Sequence, residues 1–347
     1  MDSEKIKDKV ANLLRSGKIK SFVGYSKGTN PFFHRPFITS SEKGVRNAVF
    51  SVLCVNNLTR YIVDDYKKAL KKGEKRDARP IGLVVKGCDS RALNVLLQEN
   101  FISRTDVFLI GMPCNGVIDP KKAESLWYER SETKDPAKLR IDTNGMFEMA
   151  DGESEIKLAD FGEIEAERCK VCMHNNPLVY DELVWDKVED KKVTKDERYE
   201  KIVEFKKLHP GDRWKFWRNE FSKCIRCNSC KNICPLCYCE ECTIAKDREQ
   251  SVLPDEKIRK IAWINKEVDL SNNTAYHMNR AMHLAGRCID CGECERSCPV
   301  NIPLRLLYNT LERDIYKRYG YEAGLDSELK PVLATFDAED KEDFIEN

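Results

Sequence analysis

Residues 79–114 read RPIGLVVKGCDSRALNVLLQENFISRTDVFLIGMPC, and this stretch indicates the fold class of the first half of the chain. The run IGLVV is rich in β-branched residues and lies between a proline and a glycine, as expected of a short buried strand. SRALNVLLQEN carries apolar residues at helical spacing, and TDVFLIG is a second apolar run. Strand, helix and strand at this spacing predict a parallel sheet covered by helices, which is an α/β fold.

A cysteine follows each of these two predicted strands directly, Cys88 after the first and Cys114 after the second. In a parallel sheet both would emerge at the carboxyl edge, where open α/β sheets bind their ligands. Cys169 and Cys172, in CKVCMHNNP, supply a C-x2-C pair that completes a set of four thiols. We predict that this set binds a 4Fe–4S cluster, counted below as cluster 3. Zinc on the same four residues and ordinary buried cysteines are the alternatives.

The predicted elements divide the chain into four parts. SEKIKDKVANLL and NLTRYIVDDYKKALKKG are further helices, and with them the α/β domain is predicted to span residues 1–182. A charge-dense stretch that ends in the turn HPGD predicts a partly helical linker over residues 183–215. Residues 216–320 are predicted to form a mostly helical, ferredoxin-like domain with two clusters, and residues 321–347 an acidic tail.

Three helices are predicted inside and after the cysteine-rich region. Their sequences are PDEKIRKIAWINK (254–266), TAYHMNRAMHLAG (274–286) and PLRLLYNTLERDIYK (303–317).

Composition limits the classes of function. The formal net charge of +1 over 347 residues argues against a nucleic-acid partner. No apolar run is long enough for membrane insertion, and no secretory signal is recognisable, so we expect a cytoplasmic protein. Cytosolic thiols stay reduced, and the sixteen cysteines therefore indicate metal binding rather than disulfides.

Two copies of one cysteine pattern dominate the second half. KCIRCNSCKNICPLCYCEEC (223–242) contains C-x2-C-x2-C-x3-C followed by proline, and RCIDCGECERSCP (287–299) repeats it. This run is typical of bacterial ferredoxins, in which the fourth cysteine of each run ligates the other cluster. The predicted ligands of cluster 1 are therefore Cys224, Cys227, Cys230 and Cys298, and those of cluster 2 are Cys288, Cys291, Cys294 and Cys234. A pair of zinc sites is the alternative, but zinc motifs separate their cysteine pairs by a longer loop.

Four cysteines remain, and we predict that they form cluster 4. Cys237, Cys239 and Cys242 form a dense C-x-C-x2-C triplet just beyond the first ferredoxin run, and Cys54 is the only cysteine left to complete the set. The five histidines have no ligand spacing and are expected to lie at the surface or in the core, with His174 the one nearest a cysteine pair.

These motifs carry a resemblance to a known family. Over about residues 45–180, the sequences RPIGLVVKGCDSRALNVLLQEN, VFLIGMPCNGVID and CKVCMHNN resemble the coenzyme F-420 hydrogenase/formate dehydrogenase beta-subunit family. Residues of about 220–305 resemble two-cluster 4Fe–4S ferredoxin domains, and GRCIDCGECERSCPVNIP is similar to ferredoxin inserts of heterodisulfide-reductase-type complexes. Several family members carry FAD, but we assign FAD to no residue here.

The resemblance and the cysteine motifs together predict a function. We expect a non-catalytic electron-transfer subunit of a cytoplasmic, anaerobic oxidoreductase complex, which relays single electrons through several 4Fe–4S clusters. Its partners would be flavoprotein and iron–sulfur subunits of heterodisulfide-reductase, hydrogenase or formate dehydrogenase type, and the complex would be flavin-based and electron-bifurcating. The alternatives are a catalytic flavin subunit that oxidises or reduces a hydride carrier such as coenzyme F-420, and a regulatory protein with structural zinc. No side chain stands out as catalytic.

Overall fold

The computed structural model describes residues 3–72, 77–135, 139–142, 148–151, 157–239, 242, 244, 264 and 267–335. The helices of the first half are α1 (Ser3–Arg15), α2 (Glu42–Val45), α3 (Thr59–Lys72), α4 (Gly87–Gln98), α5 (Pro120–Arg130), α6 (Phe161–Ile164) and α7 (Glu167–Lys170). The strands are β1 (Ser21–Ser26), β2 (Arg35–Thr39), β3 (Ile81–Val85), β4 (Val107–Gly111), β5 (Leu139–Asp142), β6 (Glu148–Asp151), β7 (Lys157–Asp160) and β8 (Glu182–Leu183). The second half contains α8 (Lys195–Lys207), α9 (Pro210–Ser222), α10 (Ser229–Asn232), α11 (Leu270–Leu284), α12 (Glu293–Arg296) and α13 (Leu304–Tyr319).

A five-stranded sheet organises the first half, with strand order β2-β1-β3-β4-β8. The pairs β1–β3, β3–β4 and β4–β8 are parallel, and only β2 runs antiparallel, at one edge. The predicted α/β fold with parallel strands is therefore confirmed for this part of the chain. β3 and β4 are paired from Ile81 opposite Val107 to Val85 opposite Gly111, so both strands end at the same edge.

The core of this sheet is continuous with the core of the second half. Every residue of β3 and β4 is buried, as expected of central parallel strands covered on both faces. The same apolar cluster includes Leu83 and Leu109 of the sheet and Leu284 and Tyr308 of the later helices. Burying each such side chain stabilises the fold by roughly 1.5–3 kcal/mol.

The predicted helices of the second half can be compared with the structure in two of three cases. The helix predicted over 274–286 corresponds to α11, and the one predicted over 303–317 corresponds to α13. The helix predicted over 254–266 lies outside the described residues except for Ile264. No helix in the described ranges has the length and apolar character that crossing a membrane would need.

The predicted linker and tail are partly folded where the structure describes them. Within 183–215 the chain forms α8, whose Tyr199 and Ile202 are buried. At the start of the predicted tail, Glu322 and Ala323 are buried, and the carbonyl of Ala323 accepts hydrogen bonds from Arg91 of α4. Residues 336–347, the acidic end itself, lie outside the described residues, and the four-part division stays a prediction.

Candidate metal centres

Two cavities in the second half separate the ferredoxin-type cysteines into two groups. The loop-224 cavity, of about 20 Å³, is lined by Cys224, Cys227, Cys230 and Cys298. The loop-288 cavity, also of about 20 Å³, is lined by Cys234, Cys288, Cys291 and Cys294. The fourth cysteine of each run thus faces the cavity of the other run, which is the exchange that the ferredoxin pattern predicts.

The two cysteine loops have the same backbone conformation at matching positions. Arg226 and Asp290, each two residues after the first cysteine of its run, have φ of 55°. Asn228 and Gly292, each four residues after that cysteine, have φ of 60° and 68°. A left-handed conformation costs a residue with a Cβ about 1–2 kcal/mol, so three such residues in two short loops indicate that the loop shape is needed for the site.

The backbone N–H two residues after a cysteine acts on that cysteine's sulfur at several of the predicted ligands. The N–H of Arg226 donates to Cys224 Sγ at 3.4 Å. At Cys288, Cys291, Cys114 and Cys172, burial raises the pKa of the thiol and the backbone N–H two residues on opposes that rise. Such hydrogen bonds stabilise a negatively charged sulfur and lower the pKa of the thiol. The backbone two residues after the cysteine therefore acts in the same way at cysteines of the sets predicted for clusters 1, 2 and 3.

One face of α11 holds the first cysteine loop in place. The Asn273 side-chain amide donates to the carbonyl of Cys224 at 2.9 Å, and Arg280 Nη2 donates to the carbonyl of Cys230 at 2.8 Å. The Tyr276 hydroxyl lies 3.6 Å from Cys230 Sγ. Burial raises the pKa of Tyr276. Burial alone would lower the pKa of Arg280, but Tyr308 and the nearby cysteines outweigh it and raise that pKa, so Arg280 stays protonated.

A third cavity, the α/β cavity, lies at the carboxyl edge of the large sheet. It has a volume of about 50 Å³ and is lined by Cys88, Cys114, Cys169 and Cys172. The segment that carries the C-x2-C pair is tied to the end of β4, since Asn175 Nδ2 donates to the carbonyl of Cys114 at 2.7 Å. The structure thus brings together the four residues predicted for cluster 3.

Glycine is needed where this segment crosses the start of α4. A Cβ on Gly87 would lie 1.9 Å from the carbonyl oxygen of His174, a distance that no side chain tolerates. The residue before Cys88 therefore has to be glycine for the segment with Cys172 to approach.

Buried cations surround the α/β cavity. Lys86, Arg91, Arg168 and Arg198 line it together with the four cysteines. Lys86 Nζ lies 3.1 Å from Asp89 Oδ2, and Asp89 with Tyr25 outweighs burial and raises the pKa of the lysine. Burial raises the pKa of Cys114 to about 12, with Lys86 opposing, so metal binding has to displace a proton from this thiol.

The four cysteines predicted for cluster 4 are in different surroundings. Cys54 is fully buried, and its thiol contacts the carbonyl of Val49 at 3.6 Å, while burial raises its pKa to about 12. Cys237 accepts a hydrogen bond from Cys234, which lowers the pKa of Cys237. Cys239 is exposed and Cys242 is partly buried. This set stays a prediction.

The donor chemistry of the three cavities fits iron–sulfur clusters. Each presents four cysteines, the number that ligates one 4Fe–4S cluster, and thiolates are the donors that such clusters select. Among the described residues, no three His, Cys, Asp or Glu side chains are close enough together to hold a single metal ion.

Two histidines line these cavities, and the sequence reading missed one of them. His174 lines the α/β cavity and lies 3.3 Å from Glu322, measured from Nε2 to Oε1. His277 of α11 lines the loop-224 cavity and is 1% exposed. The signal was present in the spacing of Asn273, Tyr276, His277 and Arg280, which puts four polar side chains on one helical face.

Comparisons with known proteins found several similarities. Residues 78–203 match the family model for the C terminus of the coenzyme F420 hydrogenase/dehydrogenase beta subunit. The chain is 27% identical over 307 residues to the F420-dependent formate dehydrogenase subunit beta of Methanocaldococcus jannaschii, a match that covers 74% of this chain and 76% of that protein. It is 26% identical over 376 residues to the F420-dependent formate dehydrogenase 1 subunit beta of Methanococcus maripaludis, covering 92% of this chain and 90% of the relative. A chain of the F420-reducing [NiFe] hydrogenase complex from Methanosarcina barkeri matches with a TM-score of 0.36 and 16% identity, over 49% of this chain and 59% of that one.

Proposed function

We propose, on the match of residues 78–203 to the family model for the C terminus of the coenzyme F420 hydrogenase/dehydrogenase beta subunit, that this chain is the iron–sulfur electron-transfer subunit of an oxidoreductase complex. It relays single electrons between partner subunits that carry flavin or further clusters. We place the complex in the cytoplasm of an anaerobe, with partners of formate dehydrogenase, hydrogenase or heterodisulfide-reductase type, and we extend the proposal to flavin-based electron bifurcation.

The observation that carries this proposal is the grouping of twelve cysteines into three sets of four, each around its own cavity. A chain with one such set could use it for structure alone. Three sets in one chain support a relay, since a 4Fe–4S cluster, when bound, accepts and releases one electron at a time. The α/β cavity and the loop-288 cavity share Ile289 and Asp290 in their linings, which supports transfer between these two sites.

The protein's own residues hold the ferredoxin-type sets and bury most of their cysteines. Five of the eight ferredoxin-type cysteines are buried, whereas Cys227 is exposed. The loop-224 set therefore reaches the surface, which supports it as the point where a partner protein exchanges electrons. Arg60 donates to the carbonyls of Cys234 and Cys237, at 3.2 Å in both cases, and so joins α3 of the α/β part to the first cysteine loop.

The test is a count of iron, sulfide, zinc and flavin on one anaerobically purified sample of the full chain. We expect about twelve iron atoms from three sets, or about sixteen if cluster 4 also forms, with sulfide in equal amount. Cys227→Ala and Cys291→Ala should each lower the iron content by about four atoms, and each serves as the control for the other. Full iron content in either variant, or colourless protein with stoichiometric zinc, would contradict the proposal.

A second candidate is a catalytic flavin subunit that exchanges hydride with a carrier such as coenzyme F420. It is favoured by the relatives at 26–27% identity, which are named F420-dependent formate dehydrogenase beta subunits. One flavin per chain together with about eight iron atoms in the same sample would favour this candidate, because the α/β cysteines would then not all be ligands.

A further inference from the structure

His277 is a buried histidine that no residue of the described chain satisfies. It lies in α11, its side chain is 1% exposed, and neither Nδ1 nor Nε2 has a hydrogen-bond partner among the described residues. Its ring is stacked on Phe221, with centroids 4.8 Å apart and planes at 9°. The ring is therefore held in one orientation by packing, while its polar atoms have no partner in the described part of the chain.

An orphaned imidazole at such a position requires an explanation. In every protonation state the ring carries at least one N–H donor. Leaving a buried donor without an acceptor costs about 1–3 kcal/mol, and native proteins rarely accept that cost. The cavity that His277 lines is also lined by Cys224, Cys227, Cys230 and Cys298, whose sulfur atoms can accept a hydrogen bond from the ring.

The neighbouring residue of α11 already makes this kind of contact. The Tyr276 hydroxyl lies 3.6 Å from Cys230 Sγ. Successive residues of the helix thus bring two polar groups to the same cavity. The lining of the loop-288 cavity includes Arg280 and Tyr308 but no histidine among the described residues.

Resting on the proposed function, we propose that His277 donates its ring N–H to a sulfur of the cluster site in the loop-224 cavity and thereby raises the reduction potential there. The added electron makes the site more negative, and a hydrogen-bond donor to its sulfurs stabilises that state more than the oxidised one. His277 is thus a positioning and tuning residue that distinguishes two otherwise repeated sites. This contribution favours reduction of the loop-224 set.

The test compares reduction potentials in three variants of the full chain, purified anaerobically. His277→Phe keeps the stacking on Phe221 and removes the donor, His277→Gln keeps a donor, and His283→Phe alters an exposed histidine of the same helix. Redox titration followed by EPR, with Cys291→Ala used to assign the signals, gives the potential of each site.

We expect His277→Phe to disfavour reduction of the loop-224 site by about tenfold, which is about 59 mV for a one-electron couple. His277→Gln should recover most of the shift, and His283→Phe should produce none. The loop-288 signal should not move in any of the three.

Three outcomes separate this inference from the proposed function. Clusters present with an unchanged loop-224 potential in His277→Phe would overturn the inference and leave the proposed function intact. An equal shift at both sites, or in His283→Phe, would also overturn it. Absence of iron from the unaltered protein would overturn both.

A measurement on the unaltered protein covers the case in which His277→Phe does not fold. Pulsed EPR of the reduced protein, with ring-¹⁵N histidine, should show coupling of one histidine nitrogen to the loop-224 site. Lack of any such coupling would overturn the inference without a variant.

Discussion

Replacing Glu322 should lower the free energy of unfolding, because this carboxylate joins residues from both halves of the chain. The carboxylate is 8% exposed and lies 3.0 Å from Arg91 Nη2, 2.8 Å from Arg198 Nη1 and 3.3 Å from His174 Nε2, with Lys195 as a further partner. Glu322→Gln removes the negative charge and leaves two arginines buried. Breaking a buried pair in this way costs about 3–5 kcal/mol, whereas an exposed pair contributes about 0–1 kcal/mol.

The same contacts determine how the loss of unfolding free energy in Glu322→Gln depends on pH. Burial alone would raise the pKa of Glu322, but His174, Arg91 and Arg198 outweigh burial and hold that pKa well below its usual range. Burial lowers the pKa of His174, so its ring stays neutral at pH 7. A carboxyl with a depressed pKa stabilises the fold above its unfolded pKa of about 4.3, and that contribution is lost as the pH falls toward the folded pKa. The difference in the free energy of unfolding between Glu322→Gln and the unaltered chain should therefore be constant from pH 8 to about pH 5 and shrink below about pH 4.

The assay is anaerobic guanidinium chloride unfolding followed by tryptophan fluorescence, with iron content measured on each sample. Glu328→Gln, at an exposed position a few residues away, is the matched control and should change the free energy of unfolding by less than about 0.5 kcal/mol. A loss of unfolding free energy below about 1 kcal/mol for Glu322→Gln at pH 7, or a loss equal to that of the control, would show that these ion pairs do not stabilise the fold.

Three glycine substitutions, one of them a control, test the packing around the α/β cavity. Gly324 has φ of 74°, and a Cβ there would lie 2.2 Å from the carbonyl oxygen of Arg91, so Gly324→Ala should cost about 2–5 kcal/mol by thermal or denaturant unfolding. Gly320→Ala, with φ of 63° and nothing within 4 Å of the added Cβ, should cost only about 1–2 kcal/mol, and equal losses would show that the close approach does not matter. Gly87→Ala should push the His174 backbone away from α4 and lower the iron content by about four atoms while the two ferredoxin-type signals remain; unchanged iron content would contradict this placement of the segment.

Local sequence patterns were enough to predict the central strands and the grouping of the ferredoxin-type cysteines. The runs that became β3 and β4 are apolar on every position because central parallel strands are covered on both faces, and such runs can be recognised in isolation. The spacing of the cysteines in each ferredoxin run is short and follows the geometry of one loop. For that reason the grouping of Cys298 with Cys224, and of Cys234 with Cys288, was predictable before any fold was known.

Strands with little apolar character were not predicted from the sequence. β5, β6 and β7 form a separate three-stranded antiparallel sheet, and each strand has only four residues. Strands this short show too few alternations for a periodicity to be recognised. β2, with exposed and partly buried residues in RPFIT, is an edge strand, and its pairing with β1 depends on the sheet rather than on its own sequence.

The residue types and the spacing along the chain determined which cysteines can share a loop, which segments are buried strands, and that metal binding is the chemistry to expect. The sequence left it open whether Cys88, Cys114 and the distant pair Cys169/Cys172 form one set or are separate buried cysteines, and the tertiary structure places all four around one cavity. Burial of His277 beside the loop-224 cysteines, without a partner among the described residues, follows from the tertiary structure alone. Spacing acts through local backbone geometry, which a few residues define, whereas burial and the choice of partner depend on segments that meet only after the whole chain has packed.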